Sequence, residues 1–208
     1  MPRKKNSRKK NSKKNMKKEL TFNINPDINP NGLVNPIMNC ADSKVVPSHF
    51  LESHFTNLKY NNVLVIPNVL DNYFISQLNS KKNNNPIFLS TRSLEKEYCI
   101  DHSIILFSKV KSKFKKAKFL ILGDGKESQN LKKLVISLGL ENSIIFFGHV
   151  LNNKIPKLYN LSSYSLNSSK IDNAPLSVIE SMAASLVTIS TKVGEIPLMI
   201  KDKFSGIL

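Results

Sequence analysis

Hydrophobic positions are unevenly distributed along this chain: they become frequent near residue 43 and from residue 87 recur in a regular rhythm. Ser48 stands where a helix cap is expected, before Phe50, Leu51, His54, Phe55 and Leu58 at helical spacing. VLVIP at 63–67 reads as a short buried strand ended by its proline. From residue 87, apolar runs alternate with amphipathic stretches. Strand IFLST (87–91) precedes a helix over 101–114 whose apolar face carries Ile104, Phe107, Val110 and Phe114. Strand KFLILG (118–123) leads to a helix over 127–138 with Leu131, Leu134, Val135 and Leu138 inward. Strand SIIFFG (143–148) precedes a short helix near 153–160, and strand YSLNSS (164–169) leads to a helix over 175–184 and strand LVTIST (186–191). These strands are mostly continuous apolar runs, as expected when helices cover both faces of a sheet. The repeated strand–helix unit predicts an α/β fold with a doubly wound, parallel, Rossmann-like sheet.

The first part of the chain lacks this rhythm. Residues 1–18 repeat RKKNS, RKKNS, KKN, and residues 23–36 hold three Asn-Pro pairs and one Asn-Gly. Dense like charge with nothing to bury predicts disorder, and the Asn-Pro pairs predict turns. We therefore assign 1–42 to a basic tail and an Asn/Pro-rich linker, and 43–208 to one folded domain. Charge reinforces the division. The chain carries 31 Lys and Arg against 15 Asp and Glu, and residues 1–19 alone hold ten of the basic side chains and one acid. Subtracting these leaves 21 against 14, so most of the net +16 belongs to the tail rather than the fold.

Other classes are disfavoured. Cys40 and Cys99 lie 59 residues apart without CxxC spacing, which fits two ordinary thiols in a reducing compartment. The four histidines (49, 54, 102, 149) show no metal spacing, and no metal site is expected. No apolar run approaches the roughly 20 residues of a membrane span, and the N-terminus lacks the apolar stretch of a signal peptide, so a cytoplasmic location is expected.

In a doubly wound sheet, ligands bind beyond the carboxyl ends of the strands. Three loops there carry chemistry: one with Arg92 and Lys96, one with Gly148, His149 and Val150, and one over 170–177. In the third, Asp172, Asn173, Ala174 and Pro175 lead into a helix with Leu176 and Ser177 in its first turn. Free backbone N–H groups of a first turn suit a phosphate. Glu180, eight residues after Asp172, offers a carboxylate that can accept from both hydroxyls of a vicinal diol. Arg92 offers a bidentate partner for a diphosphate. The competing reading of Asp-Asn-x-Pro is an ordinary helix cap followed by a helix-starting proline. Gly123-Asp124-Gly125-Lys126 lacks the spacing of a phosphate loop and reads as a tight strand-to-helix turn.

Taken in order, IPNVLDNYF (66–74), TRSLEKEYCIDHSI (91–104), KFLILGDG (118–125), IIFFGHV (144–150), SLNSSKIDNAPLSVIESMA (165–183) and VTISTKVGEIP (187–197) resemble the C-terminal half of the family 4 glycosyltransferases. These retaining enzymes have two Rossmann-like domains facing a cleft, the GT-B fold. The resemblance implies a nucleotide-sugar donor, a UDP- or GDP-sugar, as substrate, with no cofactor and no active-site metal. It places Glu180 on the ribose hydroxyls, Asp172 near the donor sugar, and the backbone of Asn173, Ala174, Pro175, Leu176 and Ser177 on sugar and diphosphate. It places Arg92 on the diphosphate and the backbone of His149 and Val150 beside the base.

The chain departs from the family pattern at several positions. Glu97 stands where many relatives have a Lys, with Lys96 one residue earlier. Ser185 and Val187 replace a Gly and a Pro, and Glu195 replaces a second Gly after Gly194. Residues 1–42 are too short for the family's acceptor domain, so the resemblance implies as partners a glycan or lipid-linked acceptor and a separate chain supplying that domain, unless that half is lost. Two alternatives stand beside transfer, in a pathway of polysaccharide or glycoconjugate synthesis. One is a non-catalytic remnant that binds nucleotide sugar. The other is polyanion binding through residues 1–19, for which an anionic membrane surface suits the Lys-rich tail. Without aromatic residues in 1–19 or a recognition motif elsewhere, no specific nucleic acid is expected.

Overall fold

The computed structural model of the protein describes residues 38, 40–79 and 85–208. Of the tail and linker expected over 1–42, residues 1–37 and 39 lie outside these residues. Two parallel sheets are present. The smaller pairs β1 (Lys44–Val46) with β2 (Val63–Val65) through the crossover helix α1 (His49–Asn57). Ser48 caps α1 as its sequence predicts, its hydroxyl accepting from the Leu51 N–H at 3.1 Å. Leu51 and Phe55 of α1 bury against Val46 and Met38, so the folded unit includes a residue of the stretch assigned to the linker. Strand 63–67 was expected to be buried. Instead Leu64 is 54 % exposed and its register partner Val45 is 43 % exposed, because a helix covers only one face of this two-stranded sheet.

The larger sheet holds β3 (Ile87–Thr91), β4 (Lys118–Leu122), β5 (Ile144–Gly148), β6 (Tyr164–Asn167) and β7 (Val187–Ser190), all parallel, in the order β5-β4-β3-β6-β7. The connections are α3 (Ile100–Lys113), α4 (Ser128–Ser137), α5 (Ile155–Leu161) and α6 (Leu176–Ala183), with α2 (Asn72–Ser76) before β3 and α7 (Ile196–Met199) after β7. Ile207 pairs with Ile189 on the free side of β7, continuing the parallel order. This is the doubly wound fold that the alternation of strands and helices predicts. The strand at 44–46 and the helices at 72–76 and 196–199 are additions, each too short to show a period.

Alternate residues of the central strands face two cores. Phe88, Phe119 and Ile121 pack with Ile104 and Phe107 of α3 and Leu131 and Val135 of α4. Leu89, Leu120 and Leu122 pack on the other side with Tyr159 of α5, Phe74 of α2 and Leu186. Two predicted core positions are exposed. Phe114 and Leu138 close α3 and α4 as their C-terminal caps, where the chain leaves the helical path and the apolar period no longer points inward. The edge strand β5 is covered on one face only, leaving Ile145 and Phe147 more than 40 % exposed. Both cysteines are free thiols, Cys40 exposed and Cys99 buried.

Candidate functional site

The strand order decides which loops meet. From β3 the chain winds outward to β4 and β5, whereas from β6 it winds the other way to β7. The carboxyl ends of β3 and β6 therefore flank the topological switch point, where the connections diverge and leave a crevice. Arg92 follows β3 and Asp172 lies in the loop after β6. Although 80 residues apart in sequence, they join in an ion pair, Arg92 Nη2 to Asp172 Oδ2 at 2.7 Å, with side chains only 12 % and 9 % exposed.

The guanidinium also lies 4.1 Å from the ring centroid of Tyr98, and its Nη1 approaches the Ser177 hydroxyl at 3.4 Å. Its Nε is buried and has no partner, an unsatisfied donor of the kind found where a ligand completes a site. Burial pushes the Asp172 carboxyl above its ordinary pKa, while Arg92, the Asn173 N–H and the Ser169 hydroxyl draw it back. Asp172 Oδ1 accepts from the Asn173 N–H at 3.0 Å.

Asp172 and Asn173 do not cap the helix. The N-cap of α6 is Pro175, in extended conformation, and makes no side-chain cap hydrogen bond. The N–H groups of Leu176 and Ser177 have no acceptor among the described residues, so the positive end of α6 is open. Ser177 faces Arg92, Ala174 and Pro175 are buried, and Leu176 is exposed.

Glu180 sits one turn further along α6, its carboxyl pushed above the ordinary value by burial and drawn back by a hydrogen bond from Tyr159. That phenol donates to Glu180 Oε2 at 2.8 Å and lies 3.0 Å from the Thr91 hydroxyl.

The loop over 172–174 is clamped from the other side by the small sheet's unit and the segment after it. The Ser48 hydroxyl donates to Asn173 Oδ1, and Asn68 Nδ2 donates to the Ala174 carbonyl at 2.7 Å. Gly194, at φ +55°, packs so closely that an added Cβ would overlap the Asp172 carbonyl and lie 2.7 Å from that of Asn173. Glu195, next in sequence, donates its N–H to the Asn173 carbonyl at 2.8 Å. Its carboxylate accepts from the Phe50 and His49 N–H groups at 2.8 and 3.3 Å, on the first turn of α1.

Three predicted residues lie apart from this cluster. Lys96 is exposed in a single 3₁₀ turn, Lys96–Tyr98, with no hydrogen bond or ion pair to Arg92, Asp172 or Ser177. His149 is exposed, and Val150 packs into the core beside Tyr159, both following the edge strand β5 two strands from β3. A cleft of about 440 Å³ opens at the ends of β4 and β5, lined in part by Leu94, Gly123, Gly125 and Gly148 but by neither His149 nor Val150. Gly123-Asp124-Gly125 forms the strand-to-helix turn that its sequence predicts, with an added Cβ at Gly125 falling 2.5 Å from the Leu94 carbonyl.

Sequence reasoning missed Tyr159, Ser48 and Asn68 as members of the site. Tyr159 lies in a short apolar helix whose pattern announces only core. Ser48 and Asn68 come from the unit before the large sheet, and no spacing ties them to residue 173.

The fold defines the class: a Rossmann-like α/β domain with its polar cluster at the switch point. The chain belongs to the glycosyl transferases group 1, whose family model matches residues 72–208. It is 29 % identical over 150 residues to an uncharacterised glycosyltransferase of Methanocaldococcus jannaschii, covering 68 % of this chain and 36 % of that protein. A variant of Staphylococcus aureus TarM, solved with fondaparinux, α-GlcNAc-glycerol and UDP, has a similar fold: TM-score 0.72, 19 % identity, covering 84 % of this chain and 36 % of that one. Anabaena HepE, solved with UDP-glucose, gives TM-score 0.71 and 18 % identity, covering 84 % of this chain and 51 % of that one. The chain thus spans about a third of the length of the first two. No helix among the described residues is long and apolar enough to cross a membrane.

Proposed function

We propose that this chain binds a nucleoside-diphosphate sugar at the switch point and serves as the donor half of a retaining glycosyltransferase acting in glycan or glycoconjugate synthesis. The observation that carries the reading is the convergence of Arg92, Asp172 and Glu180 around the uncapped N-terminus of α6. Each member has a role in that ligand's chemistry. The carboxylate of Glu180 accepts from the ribose hydroxyls. The Leu176 and Ser177 N–H groups, the α6 dipole and the spare donors of Arg92 receive the diphosphate. Charge grows on that diphosphate as the sugar leaves, so fixed positive groups lower the barrier. Asp172, held by Arg92, lies where the sugar hydroxyls are oriented. The UDP and UDP-glucose complexes of structural neighbours support a uridine donor over a guanosine donor. The acceptor, a glycan or lipid-linked sugar, meets the donor across a cleft whose other wall is contributed by further residues or a partner chain.

A thermal-shift and calorimetry panel of UDP-, GDP- and ADP-sugars tests donor binding. At least one raises the melting temperature, and Glu180→Ala removes the shift; a panel without any shift overturns the reading. Retention is tested by the anomeric configuration of the transferred sugar, read by NMR once an acceptor has been supplied.

A further inference from the structure

We infer that Tyr159 is a positioning residue that sets the Glu180 carboxylate for a ribose diol, through a hydroxyl relay running from Thr91 at the end of β3 to α6. The inference rests on the donor-binding role proposed above for Glu180.

A phenol has one proton to donate. Its possible acceptors are Glu180 Oε2 at 2.8 Å, the Thr91 hydroxyl at 3.0 Å and the Ser177 carbonyl at 3.4 Å. The shortest, charge-assisted bond takes the proton, so the 3.0 Å contact with Thr91 must run from the threonine hydroxyl to the phenol oxygen. The direction of the relay is thereby fixed: Thr91 donates to Tyr159, which donates to Glu180.

The relay is rigid. Tyr159 is 1 % exposed, its ring packed edge-on against Phe74 with centroids 5.3 Å apart, and burial beside Glu180 holds the phenol well above its ordinary pKa. It therefore stays a donor throughout the working pH range. Among the described residues, Tyr159 is the one side chain that hydrogen-bonds the Glu180 carboxylate. Without it, the carboxylate would rotate about its terminal torsion, which is broad for glutamate. With Oε2 pinned, the remaining lone pairs of the carboxylate have a set direction for the two hydroxyls.

Thr91 is also the neighbour of Arg92. The relay thus ties the strand end that carries the cation to the helix that carries the diol acceptor, and fixes their separation along a nucleotide.

The test compares UDP, GDP and ADP with their 2′,3′-dideoxy counterparts on the whole chain and on Tyr159→Phe, which keeps the ring and removes only the hydroxyl. In the unaltered protein the diol strengthens binding. In Tyr159→Phe that advantage falls roughly tenfold, while binding of the dideoxy nucleotide is unchanged. In a Glu180→Ala background the tyrosine substitution has no further effect on the advantage. A purely structural role for the hydroxyl would weaken both nucleotides alike, and that result overturns the inference, as does an undiminished diol advantage. A second readout is independent of any ligand. The Glu180 carboxyl, titrated by ¹³C NMR, rises in pKa in Tyr159→Phe as its donor is lost, and an unmoved pKa overturns the relay. If no nucleotide binds the unaltered protein, the donor reading fails, while the titration still decides whether Tyr159 holds Glu180.

Discussion

Arg92 and Asp172 form a 2.7 Å ion pair between the loops after β3 and β6, with both side chains almost out of solvent. The carboxyl nevertheless sits above its ordinary pKa because burial outweighs the neighbouring guanidinium. Such a pair contributes little net stability while intact and costs much when one partner is removed.

Arg92→Ala leaves a buried carboxylate without its cation and strips the ring of Tyr98 of its neighbour. A loss of about 3 kcal/mol is expected in urea unfolding. Adding Asp172→Asn to Arg92→Ala recovers part of that loss, since no charge then stays buried alone. Equal stabilities for the single and double variants would show that the carboxylate is not stranded.

Glu180 sets a pH dependence whose sign follows from its raised pKa. The folded state binds the proton more readily than the unfolded chain, so stability falls as pH rises from the ordinary value of 4.5 through the folded pKa, and the loss is complete above it. Glu180→Gln keeps an acceptor for Tyr159 without the charge. It raises the melting temperature at neutral pH, and the gain disappears below pH 4.5. Nucleotide binding weakens in the same variant, the expected opposition of stability and function at a buried charged site.

Ser185 shows the cost of one departure from the family pattern. It ends α6 at φ +55°, its N–H bonding the Met182 carbonyl at 3.0 Å while the Leu186 N–H bonds that of Ser181 at 2.9 Å. Gly139 closes α4 with the same pair of bonds at φ +65°, using the residue that this left-handed position favours. Ser185→Gly relieves the clash of a side chain there. A gain of about 1 kcal/mol, or about 2–4 °C in melting temperature, is expected by calorimetry.

Glu195 joins the small sheet's unit to the loop beneath the site by accepting from two N–H groups of α1. Glu195→Ala removes a cap supplied from 145 residues away, with an expected cost of about 1 kcal/mol. Hydrogen exchange checks it locally: the amides of His49 and Phe50 lose protection, while those of β3 and β4 do not.

The fold was legible because it rests on local signals. Apolar runs such as 87–91 and 118–123 fit strands covered on both faces, and the period of 127–138 fits an amphipathic helix. Errors fell where local pattern stops governing. Phe114 and Leu138 repeat the helical period one residue too far, at caps where the backbone turns away. Leu64 lies in a strand with a helix on only one side, a circumstance that the apolar run cannot reveal.

The sequence by itself determined the alternation of strands and helices, the residue types at the head of α6, and the spacing of Asp172 from Glu180 along one segment. Tertiary structure decided the rest. It brought together two of the three loops, those beside the switch point, because strand order is set by packing of distant segments and not by any short window. It paired Arg92 with Asp172, and it turned Tyr159, one apolar-helix residue among several, into the donor for Glu180. A hydrogen bond depends on positions within a few tenths of an ångström, and only the closed core fixes those for residues far apart in the chain.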